Sequence, residues 1–313
     1  MTFLTVSGLT KYENGNRIVD NFSFTQDKFQ NIAIAGETGS GKTTVLKAIA
    51  GHVQPDAGEI TFEESRVKGP NEKLLPGHPG IAYLSQHFEL RNNYFVHEIL
   101  EYSNQLSQPE ADAIFSVCRI DRLLPRRTDQ LSGGERQRIA LAKLLIGSPK
   151  LLLLDEPFSN LDVIHRNIIK QVIKEIGEKL KISCIMVSHD AEDMLAWADS
   201  IIVMKDGKII QQDVPAEIYH HPADEYCAAL FGEYNLVVTA DDKKLFIRPE
   251  SVHITAKEST FKGVVKSIQF HGSYSIAQIQ TNKQTWKVII KGKKIKPGDS
   301  VYLALSESPD WHF

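Results

Sequence analysis

The densest chemistry in the chain lies in one stretch, Gly36-Glu37-Thr38-Gly39-Ser40-Gly41-Lys42-Thr43-Thr44. Gly36, Gly39 and Gly41 allow a backbone geometry and a close approach that a Cβ would obstruct. The loop can then turn successive N–H groups towards one point and form an anion nest. An apolar run, Ile32-Ala33-Ile34-Ala35, precedes it and reads as a buried strand, and Val45-Leu46-Lys47-Ala48-Ile49 after it reads as a helix. The unpaired N–H groups and positive dipole end of that helix face the same point. Strand, Gly-x-x-x-x-Gly-Lys-Thr and helix together make a P-loop. Lys42 would reach the β- and γ-phosphates of a nucleotide, and the Thr43 hydroxyl would ligate Mg²⁺.

A second chemical stretch is Leu151-Leu152-Leu153-Leu154-Asp155-Glu156-Pro157. Buried parallel strands read as continuous apolar runs, and ligands gather at their C-terminal ends. Asp155 would hold Mg²⁺, directly or through water. Glu156, expected on the other face of the pleat, would orient and deprotonate an attacking water. Gln86 ends the strand expected at 81–85 and can ligate Mg²⁺ and orient a water near a γ-phosphate. His189 ends another buried strand, Ile182–Ser188, and can contact the γ-phosphate and the water. Tyr12 reads as a platform for the adenine ring, base–aromatic stacking being worth about 1–3 kcal/mol. The plainer alternative for Tyr12 is a turn aromatic covering a sheet edge.

Leu131-Ser132-Gly133-Gly134-Glu135 opens a further helix. Ser132 and Glu135 have capping-box spacing. Two glycines in a first turn each cost about 1 kcal/mol relative to Ala, and they strip side chains from the helix tip. A bare helix N-terminus is an anion site, so the chain carries two phosphate-binding features.

The elements that must position these groups follow from patterning. Short alternating segments over 3–34, separated by Asn14-Gly15-Asn16, predict an antiparallel β layer leading to the P-loop strand. The 94–126 region is helical and polar, an insertion in the α/β core. A helix at about 163–180, a helix at 191–197 and strands at 200–205 and 208–212 complete the first domain, with a helix near 215–220. Residues 235–313 hold short alternating strands with turns at His271-Gly272-Ser273 and Lys296-Pro297-Gly298-Asp299, a small OB-like barrel. The domains are therefore expected at 1–232, with a helical subdomain at about 87–150, and at 235–313.

Net charge is −3, which offers no electrostatic case for nucleic-acid binding. Residues 1–234 carry 24 Lys and Arg against 32 Asp and Glu, whereas 235–313 carry 12 against 7. The asymmetry fits two domains. Cys118, Cys184 and Cys227 are widely spaced with no CxxC pair, which disfavours a disulfide framework or a zinc site and suits a reducing cytosol. No apolar run approaches the roughly 18 residues that span a bilayer. Met1-Thr2-Phe3-Leu4-Thr5 lacks the features of a signal peptide.

Taken together, these motifs resemble the nucleotide-binding subunit of an ATP-binding-cassette transporter over roughly residues 3–232. The matching pieces are the P-loop at 36–44, the Q-loop Gln86, the signature Leu131–Glu135, the Walker B strand at 151–156, the D-loop Ser159–Asp162, the switch histidine His189 and the A-loop Tyr12. Departures are Glu37 where Pro or Ser is usual, Thr43 for the commoner Ser, and a missing Gly at Phe29-Gln30-Asn31. None removes a catalytic group. The resemblance implies a head-to-tail dimer of two identical or paralogous cassettes. ATP with Mg²⁺ on one P-loop is closed over by Ser132, Gly133, Gly134 and Glu135 of the other, beside its D-loop Asp162. The Arg248-Pro249-Glu250 entry and the Lys-Pro-Gly-Asp turn resemble the TOBE domain of bacterial importers for sugars, polyamines, ferric iron, molybdate or sulfate. The implied function is ATP hydrolysis driving two membrane permease subunits, with an external binding protein as an indirect partner. The implied location is cytoplasmic, on the inner face of the cell membrane. A permease helix would dock on the insertion near His87, Phe88, Arg91 and Tyr94. A soluble ABC ATPase acting on ribosomes or DNA is the alternative, and that class usually pairs cassettes in one chain or inserts a long coiled coil. A non-hydrolysing ATP-binding regulator is disfavoured by Glu156 and His189.

Overall fold

The computed structural model describes residues 3–86, 90–159, 161–238, 244–259, 261–282, 284–292 and 295–306. His87, Phe88 and Asn160 lie outside the described residues. The chain divides into two compact units, Met1–Pro215 and Ala216–Phe313.

In the first unit, β1 (Leu4–Glu13) and β2 (Asn16–Gln26) form a long hairpin around Asn14-Gly15, whose φ values of 49° and 81° suit a tight turn. β3 (Asn31–Ala35) leads through the P-loop into α1 (Lys42–Ile49), and β4 (Ala57–Phe62) and β5 (Ser65–Arg66) return to the hairpin. The result is an antiparallel layer of order β2-β1-β4-β5. β6 (Ile81–Leu84) follows, then the helical insertion, α2 (Val96–Ser103) and α3 (Gln108–Val117), and α4 (Gly133–Leu145). β7 (Leu151–Asp155), α5 (Val163–Leu180), β8 (Ser183–Val187), α6 (Ala191–Trp197), β9 (Ser200–Lys205) and β10 (Lys208–Asp213) complete the unit.

The central sheet has the order β10-β9-β3-β8-β7-β6, with β10 antiparallel to β9 and the other pairs parallel. β7 shows why its sequence is a run of leucines. Leu151 and Leu153 enter the core shared with the antiparallel layer and α1, while Leu152 and Leu154 enter the core shared with the helical insertion, α4 and α5. All four are 0% exposed. A strand buried on both faces has no polar side to alternate with. The strand order also sets β3, β8, β7 and β6 side by side. The segments leaving their C-terminal ends carry the P-loop, His189, Glu156 and Gln86 in turn.

The second unit contains α7 (Pro215–His220) from Ala216 onward and α8 (Glu225–Leu230), then β11 (Asn235–Val238), β12 (Lys244–Ile247), β13 (Val252–Thr255), β14 (Phe261–Phe270), β15 (Ser275–Thr281), β16 (Thr285–Ile290) and β17 (Ser300–Leu305). β11 and β12 pair with each other, and the rest form an all-antiparallel sheet of order β13-β17-β14-β15-β16. Its core gathers Trp286, Val265, Ile279, Val288 and Leu303. The units part after Pro215, the first residue of α7, whereas the sequence puts the boundary at 232–235. Arg248, 0% exposed, supplies the reason. Its guanidinium donates to the carbonyls of Tyr219, Ala228, Gly232 and Glu233 and lies 4.2 Å from the centroid of the Tyr219 ring. These contacts hold both helices to the β unit.

Candidate active site

The P-loop folds as its glycines require. Gly36 has φ 153°, and a Cβ there would lie 2.2 Å from the Met204 carbonyl oxygen. Gly41, the N-cap of α1, has φ 100°, and a Cβ there would lie 2.5 Å from the Ile18 carbonyl oxygen. The loop is thus pressed against β9 and β2 by residues that could not carry side chains. Lys42 donates to the carbonyls of Gly36 (2.7 Å) and Glu37 (2.6 Å), with Ser40 Oγ at 3.4 Å. Burial pushes its ammonium below the ordinary lysine value, while Glu156, Asp155 and Glu37 push it back up. A buried cation held by neutral loop oxygens can exchange them for charged phosphate oxygens.

At the end of β7, Asp155 is 3% exposed. Its Oδ1 accepts from Thr43 Oγ1 at 3.0 Å and its Oδ2 from Tyr83 Oη at 2.8 Å. Burial and the neighbouring carboxylate together raise the Tyr83 phenol above its ordinary value. Tyr83 on β6 was not singled out from sequence. A hydroxyl at the tip of an otherwise apolar strand was the available signal. Thr43 and Asp155 offer the hard oxygens that Mg²⁺ prefers, and such an ion takes its remaining ligands from phosphates and water.

Glu156 reaches the site by a different route from the expected pleat alternation. β7 ends at Asp155, and Glu156 adopts φ 51° with its N–H donated to the Val187 carbonyl at 3.0 Å. A left-handed non-glycine residue costs about 1–3 kcal/mol and persists only where its surroundings hold it. Ser159 Oγ donates to the Glu156 carbonyl at 2.9 Å, and buried Gln137 of α4 donates to the Pro157 carbonyl, fixing the turn from both sides. Glu156 Oε2 then meets His189 Nδ1 at 2.5 Å.

These groups converge on one cavity of about 500 Å³. The P-loop lines it with Thr38, Gly39, Gly41, Lys42, Thr43 and Thr44, and Gln86, Glu156 and His189 line it from the ends of β6, β7 and β8. Glu13 and Ile18 of the first hairpin also line it, and nothing in their sequence context marked them out. Tyr12 is not part of the lining. It is 43% exposed next to Glu13, with the Arg17 guanidinium 5.4 Å from its ring centroid.

The Ser132–Glu135 tip of α4 stands apart from this cavity. Ser132 Oγ accepts from Glu135 N at 3.3 Å, and Glu135 Oε2 accepts from Ser132 N at 2.9 Å, the reciprocal capping box. Burial pushes the Glu135 carboxyl up, but donation from the Ser132 backbone N–H and hydroxyl, with the nearby Arg126 and Arg138 guanidiniums, holds it below its usual value. Asp162 caps α5 in the same manner, Oδ1 accepting from Ile164 N and His165 N at 2.9 and 3.0 Å. None of Ser132, Gly133, Gly134, Glu135 and Asp162 lines the cavity of their own chain.

Residues 19–159 match the ABC transporter family, and residues 245–309 match the TOBE domain. The Fe(3+) ions import ATP-binding protein FbpC of Serratia marcescens is 31% identical over 97% of this chain and 97% of its own length. The chain belongs to the ABC transporter ATP-binding family. It is an ABC transporter ATPase with a C-terminal TOBE domain, and it forms part of an ABC transporter complex. FbpC 2 of Haemophilus influenzae is 32% identical over 89% of this ATPase and 88% of its own length. The spermidine/putrescine import ATP-binding protein PotA of Clostridium acetobutylicum is 29% identical over 96% and 93%. Among solved structures, an ATP-binding cassette of an ABC transporter in its ADP conformation matches with a TM-score of 0.63 at 22% identity, over 74% of this chain and all of that one. The fold is therefore that of an ABC cassette. No described helix is long and apolar enough to cross a membrane.

Proposed function

We propose that this ABC ATPase energises an importer, hydrolysing ATP held between two cassettes to drive two membrane permease subunits. The supporting observation is the convergence of the P-loop, Gln86, Glu156 and His189, from the ends of neighbouring strands, on one cavity. In this reading Lys42 leaves the Gly36 and Glu37 carbonyls for the β- and γ-phosphates. The loop N–H groups and the start of α1 carry the remaining phosphate charge. Tyr12 stacks on the adenine. Thr43, Asp155 and Gln86 would hold Mg²⁺, which supplies charge neutralisation between the phosphates. Glu156 orients the attacking water and takes its proton, and His189 holds Glu156 and faces the γ-phosphate. Positioning and charge neutralisation dominate such a loose phosphoryl transition state.

Ser132, Gly133, Gly134 and Glu135 act on the partner cassette's nucleotide, with Asp162 beside them. Their absence from the cavity of their own chain supports that division. Import as the direction, and polyamines or ferric iron as cargo classes, are suggested by the relatives' names and by the TOBE match. The permease helix would sit against the helical insertion, where Arg91, Tyr94, Ile99 and Tyr102 line a groove of about 350 Å³. The protein then works from the inner face of the cell membrane without entering it.

The test is capture of tagged Glu156→Gln protein, with ATP and Mg²⁺, from detergent-solubilised native cells. Recovery of a polytopic membrane protein identifies the permease and, through it, the cargo. Recovery of ribosomal or DNA-repair proteins without a membrane subunit overturns the importer reading.

A further inference from the structure

The two signature glycines are bare for different reasons. Gly133 is exposed, and a Cβ built on it has nothing within 4 Å. Gly134 is buried, and a Cβ there would lie 2.5 Å from His165 Cδ2 and 2.9 Å from its Cβ and Cγ. Carbon atoms in contact sit about 3.5–4.0 Å apart, so no side chain fits beside that ring. The ring is itself held, because His165 Nδ1 meets Asp162 Oδ2 at 2.5 Å while Asp162 Oδ1 accepts from His165 N at 3.0 Å. The next residue, Arg166, reaches across to Asp190 and Asp193 in the segment that follows His189, the latter at 2.6 Å.

We infer that His165 is a positioning residue that keys the anion-binding tip of α4 to the D-loop carboxylate. Gly133 is open for the partner's nucleotide, and Gly134 is open for His165. The first turn of α5 thereby joins the pieces that act on the partner's ATP to the segment carrying His189, which acts on the chain's own. This deepens the two-cassette reading and rests on it.

A double-mutant cycle on the full chain tests the inference, with ATP half-saturation and kcat measured for Gly133→Ala and Gly134→Ala, each with and without His165→Ala. Overpacking of the Gly134 site should cost about tenfold in kcat over half-saturation. Removing the ring should return most of that loss, whereas Gly133→Ala should cost the same in either background. His165→Asn, whose amide can still donate to Asp162, should recover most of what His165→Ala loses in ATP-driven dimerisation of the Glu156→Gln protein. Equal costs of Gly134→Ala with and without His165, or no cost at all, would overturn the inference. If Gly134→Ala alone does not fold, folding of the double variant supports the inference and its failure overturns it. Absence of ATP-driven dimerisation in Glu156→Gln with His165 intact would instead count against the two-cassette reading itself.

Discussion

His189 Nδ1 lies 2.5 Å from Glu156 Oε2, joining a side chain that is 72% exposed to one that is 17% exposed. The pair spans two neighbouring strand ends, and its geometry suits orientation of the carboxylate more than stabilisation of the fold. Exposed pairs contribute about 0–1 kcal/mol. Glu156→Gln should lower kcat by about 10²–10⁴-fold, the usual size of general-base assistance, while ATP binding stays within a few-fold. His189→Ala should lower kcat with little change in Tm. Steady-state hydrolysis, nucleotide titration and a thermal melt check both, and undiminished turnover by Glu156→Gln would remove the base assignment.

Tyr83 and Thr43 divide the two oxygens of Asp155 between them, at 2.8 and 3.0 Å. Tyr83→Phe leaves one oxygen of a buried carboxylate short of a donor, a loss of about 1–3 kcal/mol. Each kcal/mol corresponds to about 2–4 °C in Tm for a unit of this size. Calorimetry should show the transition of the first unit lowered and that of the second unmoved. An unchanged first transition would show that water replaces the phenol at no cost.

Arg248 bonds four carbonyls with two nitrogens, and its charge faces the Tyr219 ring. Lysine keeps the charge but not the planar fork. Arg248→Lys should therefore free α7 and α8 from the β portion of the second unit. Limited proteolysis should cut between residues 215 and 235 faster than in the wild type, while ATP binding by the first unit persists. Equal cleavage rates would mean that the helices are held by other contacts.

Glu175 on α5 is held to about 2, below its ordinary 4.5, by donors from Lys179, Gln171 and Arg119. Arg119 follows α3, so the contact stitches the helical insertion to α5. A depressed carboxylate adds stability that is fully present above the unfolded value and lost as pH falls through the folded one. The difference in urea midpoint between wild type and Glu175→Gln should be visible at neutral pH and close between pH 4.5 and about 2. A difference that does not change with pH would exclude this linkage.

Much of the cassette was legible from local signals, because those signals act within a few residues. The P-loop glycines, the Ser132–Glu135 capping box, the leucines of β7 and the short strands of the second unit each satisfy a local need of backbone or burial. Their spacing declares that need. Legibility failed where a contact joined distant segments. Tyr83 belongs to Asp155 across two adjacent strands, and Arg248 reaches back to carbonyls at 219–233. Glu156 turns inward through a positive φ that no residue preference announced.

By itself, then, the sequence determined the P-loop with its flanking strand and helix, the Ser132–Glu135 capping box and the short elements that present the candidate groups. Only the tertiary structure decided the neighbour order β3-β8-β7-β6, which turns four separate strand ends into one cavity, and the meeting of His165 with Gly134. The physical reason is range: turns, caps and strand burial are set by adjacent residues, whereas strand order and side-chain contact between helices follow from packing the whole core.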